Sequence, residues 1–553
     1  MDPRCSRMAF GLSVLFFSSP LLAQATPSLD PVVVTATRTP VSLTDVLADV
    51  SWVDRDQIDR MGAASVAEVL ARLPGITLSQ AGGPASTTGV FIRGADSRFT
   101  AVFIDGVRVD TQSGDGGAPW EAIPLTQVDR IEVLRGPAAA VYGSDAIGGV
   151  VQIFTREGEQ GFHPSVRLGA GTYGTREANA SLRGGVGDVT YSLGLAKDQS
   201  DGFDATLGLI NPDRDGYQKD YVSAKFEKRI SADTQIGSSL KYSTLNADYD
   251  RGYSSDLTTD VHKFKITNQS VSGYLRQVVN ADWVSNVSLT RSEYKYNDSL
   301  NGAAWPATGI TNSLTQGWQT ALAWNNTYQL QSQTKAVFGI DLANDTFNGS
   351  GSSSAYALTR RSQGYFAGLT HQIDRFTLQA NLRHDDFRLQ QDSASIQSDT
   401  NVNTGLLGIG YQLNQAWRLT GTLSTGFSVP TADAVSTNSN IKPEHHQAKE
   451  IGATYQINET LLRAIYFQKN ATDAVIYTNT YVYVNGDIDN KGIELTARTN
   501  SAGYSVKSSV TIQDPRDIAQ NLPQARRAKQ YGSLDISRNL SGLDIGEIGR
   551  AHV

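Results

Sequence analysis

From about residue 163 to residue 546 the sequence keeps a two-residue rhythm, in which segments of about ten residues alternate apolar and polar side chains and turn residues separate them. Side chains on an extended chain point to opposite faces in turn, so each segment has one apolar face and one wet face. Thr377 to Arg383 puts Leu378, Ala380 and Leu382 on one side and Thr377, Gln379, Asn381 and Arg383 on the other. Val222, Ala224 and Phe226 share a face, and after Ser231-Ala232-Asp233 the next segment presents Ile236, Leu240 and Tyr242. Helical periodicity is nearly absent over this stretch, so no helices are available to cover a sheet. Two solutions remain: several soluble sandwiches, or a membrane barrel whose apolar face meets lipid and whose polar face lines the lumen.

Three features favour the barrel. Short turns alternate with long polar loops, Asp201 to Asp220, Asp248 to Lys263 and Asn297 to Gln316, as expected of tight inner turns and extended outer loops. The chain holds 22 Tyr and 7 Trp, which recur near expected strand ends at Tyr242, Trp283, Trp324, Tyr328, Trp417 and Tyr455, the positions of interfacial girdles. A string of sandwiches needs linkers, and the sequence shows none. Beyond the first 25 residues there is no run of 18 apolar residues, which excludes a helical membrane protein. The 48 Lys and Arg against 55 Asp and Glu give a net charge of -7, leaving no basic excess to neutralise phosphates and so no nucleic-acid partner.

The N-terminus sets the compartment. Arg4 and Arg7 precede an apolar block from Met8 to Ala23, followed by the small-x-small sequence Ala23-Gln24-Ala25. Residues 1–25 therefore read as a secretory signal. The single cysteine, Cys5, lies within it, so the mature chain has no disulfide, thiolate metal site or cysteine nucleophile. Seven His are scattered without ligand spacing; His445-His446 is the one adjacent pair and reads as a loop feature. No G-x-S-x-G elbow, P-loop or Rossmann fingerprint occurs, so no catalytic residue is assigned and no enzyme is expected.

Between residues 30 and 155 the grammar changes to short apolar strands with one helical stretch, Ser65 to Leu73, stopped by Pro74-Gly75. This is a compact α+β unit whose Asp-Gly, Arg-Gly and Gly-Gly pairs make tight turns and close backbone approaches. Leu73-Pro74-Gly75-Ile76, Phe91-Ile92-Arg93-Gly94, Ile104-Asp105-Gly106-Val107-Arg108-Val109 and the stretch Ile131 to Ile153 resemble the plug motifs of the TonB-dependent outer-membrane receptors, and Asn490 to Ala497 resembles one of their late barrel strands. The resemblance implies an all-β transmembrane barrel of about 22 strands, with residues 41–158 as an α+β plug in its lumen and residues 163–546 as the barrel. It further implies a monomer set among outer-membrane lipid and lipopolysaccharide. Residues 26–40 correspond to the TonB-box segment. Asp30, Pro31, Val32, Val33, Val34, Thr35 and Ala36 resemble the box itself, and their β-branched run suits strand addition onto a sheet edge of TonB, with ExbB and ExbD supplying energy. A passive porin or a barrel-anchored adhesin needs neither a plug nor such a segment.

The remaining expectations also come from the resemblance. Asp204, Asn211, Asp213, Asp215, Tyr249, Asp250 and Asp260 are similar to the calcium-binding loops of the family's cobalamin-transporting members; read alone, Asp213-x-Asp215-Gly216 gathers carboxylates before a flexible turn, as Ca²⁺ sites do, or is simply a solvated acidic loop. Thr87, Gly89, Asp96, Gly114, Asp115 and Arg251 occupy positions facing substrate, which the resemblance gives as cobalamin, with a ferric siderophore or another metal chelate as the alternative. Arg93 and Arg135 of the plug and Glu450 and Glu494 of the barrel match a latch. Gly546 to Val553 lacks the terminal aromatic residue of such barrels; residues 547–553 match a translated sequencing adaptor, and the sequence ends some three or four strands short of the family pattern. An unclosed barrel is the expected result.

Overall fold

The computed structural model describes residues 32, 33, 38, 41, 42 and 46–552, apart from 112, 114, 115, 206–212, 251–261, 301, 302, 305–313, 351–355, 392–395, 479–481, 541 and 542. Residues 1–25, the expected signal segment, lie outside the described residues.

The N-terminal region carries β1 (Val32–Val33), β2 (Val41–Ser42), β3 (Asp49–Asp54), α1 (Arg55–Met61), α2 (Val66–Ala71), β4 (Ile76–Gln80), β5 (Thr88–Ile92), β6 (Thr100–Ile104), β7 (Val107–Arg108), β8 (Val128–Arg135), α3 (Ala139–Tyr142) and β9 (Gly149–Thr155). Local chemistry sets these elements. Asp54 caps α1 by accepting from the Gln57 N–H at 2.7 Å, and Gly62 ends it in the left-handed conformation at φ 58°. Ser65 caps α2, which buries Val66, Val69 and Leu70 completely. Asp105 and Gly106, both at positive φ, close the β6–β7 hairpin as the Asp-Gly pair predicts. The main plug sheet runs β3-β8-β9-β6-β7, parallel only between β6 and β9. Its core holds Ile131, Val133, Val151 and Ile153 beside Trp120, all at 1% exposure or less. Gly149 is a close approach: a side chain there would collide with the carbonyl of Leu134 on β8.

From Gly161 to His552 the described residues form one antiparallel sheet. Three of its members are two-residue bridges, Ala303–Ala304, Arg516–Asp517 and Leu522–Pro523, which leaves nineteen long strands. Gly161–Ala170 and Leu543–His552 are each paired on one side only, so the sheet is not closed. The segment expected to be an appended tail continues the last strand, and Ile548 packs against the plug core.

The faces divide as the alternation requires. Leu378 and Leu382 are 40% and 71% exposed, whereas Asn381 and Arg383 between and beside them are 2% and 6% exposed, so the apolar face points outward and the polar face inward. Cross-strand aromatic pairs cluster at the short-turn end: Trp283 with Tyr328 at 6.4 Å, Phe376 with Tyr411 at 4.7 Å and Trp417 with Tyr455 at 5.1 Å. Tyr242 sits within Thr234–Tyr249 instead of at its end.

Two expectations need correction. Strands reach 19 residues, as in His262–Asn280, so the long loops are shorter than their polarity suggests. Asp248 pairs in register with Lys263, and Asn297 with Leu314. Beyond the lipid both faces are wet, so the ladder continues after the alternation has faded. His445-His446 is also not a loop feature. Both residues lie in the strand Glu444–Ile457, with His446 buried on the lumen side and His445 exposed.

Candidate functional site

Plug and barrel meet in a buried charge cluster built from the glycine-rich motifs. Arg93 closes β5 at φ 48°, followed by Gly94 at φ 67°, and this turn aims its guanidinium at the barrel wall. Arg93 Nη1 lies 2.8 Å from Glu450, and Nη2 lies 2.8 Å from both Glu494 and Asp49. Its Nε donates to Glu494 at 2.9 Å. Arg135 forks onto Asp49 with two bonds of 2.7 Å and stands 4.0 Å from Glu494. Arg463 reaches Asp49 from the barrel at 2.8 Å. Three guanidiniums thus meet three carboxylates, and the group is neutral as a whole, which burial requires. Burial works against ionisation of Asp49, but Arg135, Arg463 and Arg93 hold its carboxyl well below the usual carboxylate range. The neighbouring glycines are explained by the same contacts. A side chain on Gly75 would strike the Glu494 carboxylate, and one on Gly136 would strike that of Glu450. The four expected latch residues are therefore brought together. Asp49 and Arg463, which complete the cluster, carry no signal in sequence, since neither sits in a turn motif.

Other pairs tie the plug to the lumen. Asp105 contacts Lys241 at 2.9 Å and Lys225 at 3.9 Å, Arg98 contacts Glu444 at 2.8 Å, and Arg38 contacts Asp341 at 2.8 Å. Of the TonB-box residues only Val32 and Val33 are described; Asp30, Pro31, Val34, Thr35 and Ala36 lie outside the described residues. Val32 and Val33 pair with Ser42 and Val41, and Val33 is fully buried among Val50, Leu134 and Val141. Strand addition by a partner first requires this short hairpin to open.

At the opposite, long-loop end, one carboxylate oxygen from each of Asp213, Asp215 and Asp250 lies within 4.8 Å of the others. Burial pushes the Asp215 carboxyl up to about 6, and the charges of Asp250, Asp213 and Asp204 add to that push. Mutual repulsion of this kind is relieved by a hard divalent cation with oxygen ligands, so the donor set fits Ca²⁺. The Tyr249 hydroxyl donates to Asp298 at 2.9 Å. Asn211, Asp260 and Arg251 lie outside the described residues. The same loops cover the outer plug: Ala205 and Phe203 stand over Gly82 and Gly83, and Tyr249 packs near Ala85.

Of the expected substrate positions, Thr87 is exposed on that outer plug loop and Gly89 lies in β5. Gly114 and Asp115 are outside the described residues. Asp96 accepts from Arg527 at 2.7 Å and lines a cavity of about 380 Å³ between the plug segment 93–99 and the barrel strands Thr460–Tyr477 and Tyr483–Ser501.

The outer plug loop is held from below by Glu121, which accepts from the Thr88 N–H at 3.3 Å. Burial pushes its carboxyl up to about 7, although backbone N–H groups and the Lys219 charge oppose the shift. Its ordinary value is 4.5, so between about pH 4.5 and 7 the unfolded chain releases this proton before the folded plug does. Stability falls over that window, by up to about 3 kcal/mol. Glu121→Gln is expected to raise the urea midpoint for plug release at pH 8 and leave it unchanged at pH 4. Equal midpoints at both pH values would count against an ionised, buried Glu121.

Comparison with known proteins follows this geometry. Residues 42–150 match the family described as TonB-dependent Receptor Plug Domain, and residues 160–544 match TonB dependent receptor-like, beta-barrel. The chain is 28% identical over 546 residues to a protein of Photobacterium profundum named Vitamin B12 transporter BtuB, covering 96% of this chain and 86% of that protein. It is 27% identical over 535 residues to the protein of the same name from Vibrio vulnificus, covering 94% and 83%. Among solved structures it resembles the pyoverdine outer membrane receptor FpvA of Pseudomonas aeruginosa PAO1, with a TM-score of 0.79 at 17% identity over 94% of this chain and 85% of that one. It also resembles the FrpB iron transporter of Neisseria meningitidis, with a TM-score of 0.78 at 17% identity, over 91% and 87%. At that identity the structural likeness speaks for the fold.

Proposed function

Since the chain belongs to the TonB-dependent receptor family, outer-membrane β-barrels that couple ligand uptake to TonB, we propose that its substrate is cobalamin. The observation that carries this reading is the identity of 27–28% to two B12 transporters over nearly the whole chain. The acidic external loops support it, because they gather carboxylates above the plug where a substrate enters. Asp213, Asp215 and Asp250, with Asp204 beside them, would hold Ca²⁺, which supplies the positive charge that lets these loops order over the plug. Substrate binds against Thr87, Gly89 and Asp96 and the loops around them. TonB, energised through ExbB and ExbD, grips residues 30–36 after the β1–β2 hairpin opens, and part of the plug moves. At other times the Arg93 cluster holds the plug against the barrel wall. This work is binding and gating, and it makes and breaks no covalent bond. The protein acts as a monomer surrounded by lipid and lipopolysaccharide.

Deleting residues 30–36 is expected to abolish accumulation of labelled cobalamin by cells that have this chain as their sole receptor, while surface binding persists. Accumulation that survives the deletion would indicate a passive pore. Tight binding of a ferric siderophore without binding of cobalamin would move the substrate to the iron chelates carried by the structural relatives.

A further inference from the structure

The cavity of about 380 Å³ beside Asp96 has an uneven charge balance. Three of the cations that line it are already matched: Arg93 by Asp49, Glu450 and Glu494, Arg98 by Glu444, and Arg527 by Asp96. Lys469 is different. It projects into the lumen from the strand Thr460–Tyr477 and lines the cavity, and among the described residues its ammonium has no ion pair and no hydrogen bond. On the adjacent strand the register pairs His446 with Ala471 and Ala448 with Lys469, so His446 and Lys469 stand close together on one face. His446 is 3% exposed and also lines the cavity. Its Nδ1 has no partner, and its Nε2 is 3.4 Å from Glu444, too long for a well-formed bond. The other carboxylate on the wall, Asp517, accepts from the Gln520 N–H at 3.0 Å.

A buried imidazole left without a partner and a half-buried, unmatched ammonium each carry a cost in a partly enclosed space. Both are donors, so one acceptor carrying negative charge satisfies the two together. The rest of the wall is mixed, with Phe99 edge-on to His446 at 5.2 Å and Ala471, Ile476 and Leu522 beside the neutral amides of Asn490, Gln520 and Gln524. Such a wall suits an organic body that bears the anion. We infer that this cavity is a subsite for an anionic group, phosphate or carboxylate, on the transported molecule, with Lys469 supplying charge and His446 a hydrogen bond. The inference rests on the reading that the external face of the chain binds a substrate, and it holds for cobalamin and for a chelate alike.

The test uses the purified full chain in detergent at constant ionic strength, titrated with inorganic phosphate and with acetate, with binding read from NMR line width. Lys469→Met is expected to weaken the preferred anion by about tenfold or more, the usual worth of a hydrogen bond to a charged group. Lys469→Arg should retain binding, and His446→Gln should fall between the two. Preference for phosphate identifies a phosphate-bearing substrate, and preference for acetate a carboxylate. If wild type and Lys469→Met bind both anions equally, or if neither anion binds wild type, the subsite is overturned. Should Lys469→Met fail to fold, as judged by far-ultraviolet circular dichroism, unaltered anion binding in His446→Gln would overturn it as well. Cobalamin titrated on the same samples separates the two readings. Anion binding without cobalamin binding removes the cobalamin proposal alone, and cobalamin binding without anion binding removes the subsite alone.

Discussion

Arg93→Ala is expected to unfasten the plug. The substitution removes the only ion-pair partner of Glu450 among the described residues and one of the guanidiniums on Glu494 and Asp49. Breaking a buried pair from one side typically costs about 3–5 kcal/mol, because the remaining charges stay buried without compensation. In a full-length version whose barrel closes, cells producing the variant should become sensitive to a large hydrophilic antibiotic such as vancomycin, and the plug should become open to protease while the strands stay protected. Arg93→Lys should lie between, since an ammonium keeps the charge but cannot reproduce the forked contacts to three carboxylates. Unchanged permeability and unchanged plug proteolysis in Arg93→Ala would remove the latch.

Chelating calcium is expected to weaken cobalamin binding by about 5- to 150-fold, the range of an ordinary coupling between two sites. Asp213, Asp215 and Asp250 come from two loops, and those loops lie over the plug segment that carries Thr87. A cation that ties them together orders the loops in advance and lowers the entropic cost of closing on substrate. By reciprocity, cobalamin must tighten calcium binding by the same factor. Asp213→Ala and Asp250→Ala in calcium-replete buffer should reproduce the effect of the chelator. Equal cobalamin affinity in chelator, in calcium and in both variants would remove the calcium site and weaken the argument for cobalamin over an iron chelate.

The parts of the molecule legible in sequence are those in which one residue reports on its own surroundings. Leu378 and Leu382 against Asn381 and Arg383 give the barrel wall, because a strand between lipid and lumen must alternate and nothing else in the chain competes with that demand. The Asp105-Gly106 hairpin and the Ser65 cap are equally local. Strand lengths are less visible, since Asp248 and Lys263 lie on a ladder that has left the membrane and no longer alternates. Least visible are the long-range partners. Arg93 meets Glu494 across 401 positions of sequence, a pairing that only the shear of the barrel decides. The four expected latch residues are reached through resemblance, while Asp49 and Arg463 escape it. His446 defeats a local reading because neighbouring residues that point apart can belong to a loop or to a strand, and only the ladder with Thr460–Tyr477 decides between them.

The position of β3 in the plug sheet has a mechanical consequence. It is the edge strand, joined to β8 and to nothing else in the order β3-β8-β9-β6-β7, and it is the first strand of that sheet met by a load applied at the N-terminus. Drawing it out breaks a single ladder, whereas extracting β8 or β9 would break two. The strand also carries Asp49. With Asp49 gone, three guanidiniums, those of Arg93, Arg135 and Arg463, face the two carboxylates of Glu450 and Glu494, and the neutral cluster is left with one uncompensated buried positive charge. A load entering at the N-terminus would thus meet the very strand on which the charge balance depends, so that drawing out β3 would also weaken what holds the plug to the barrel.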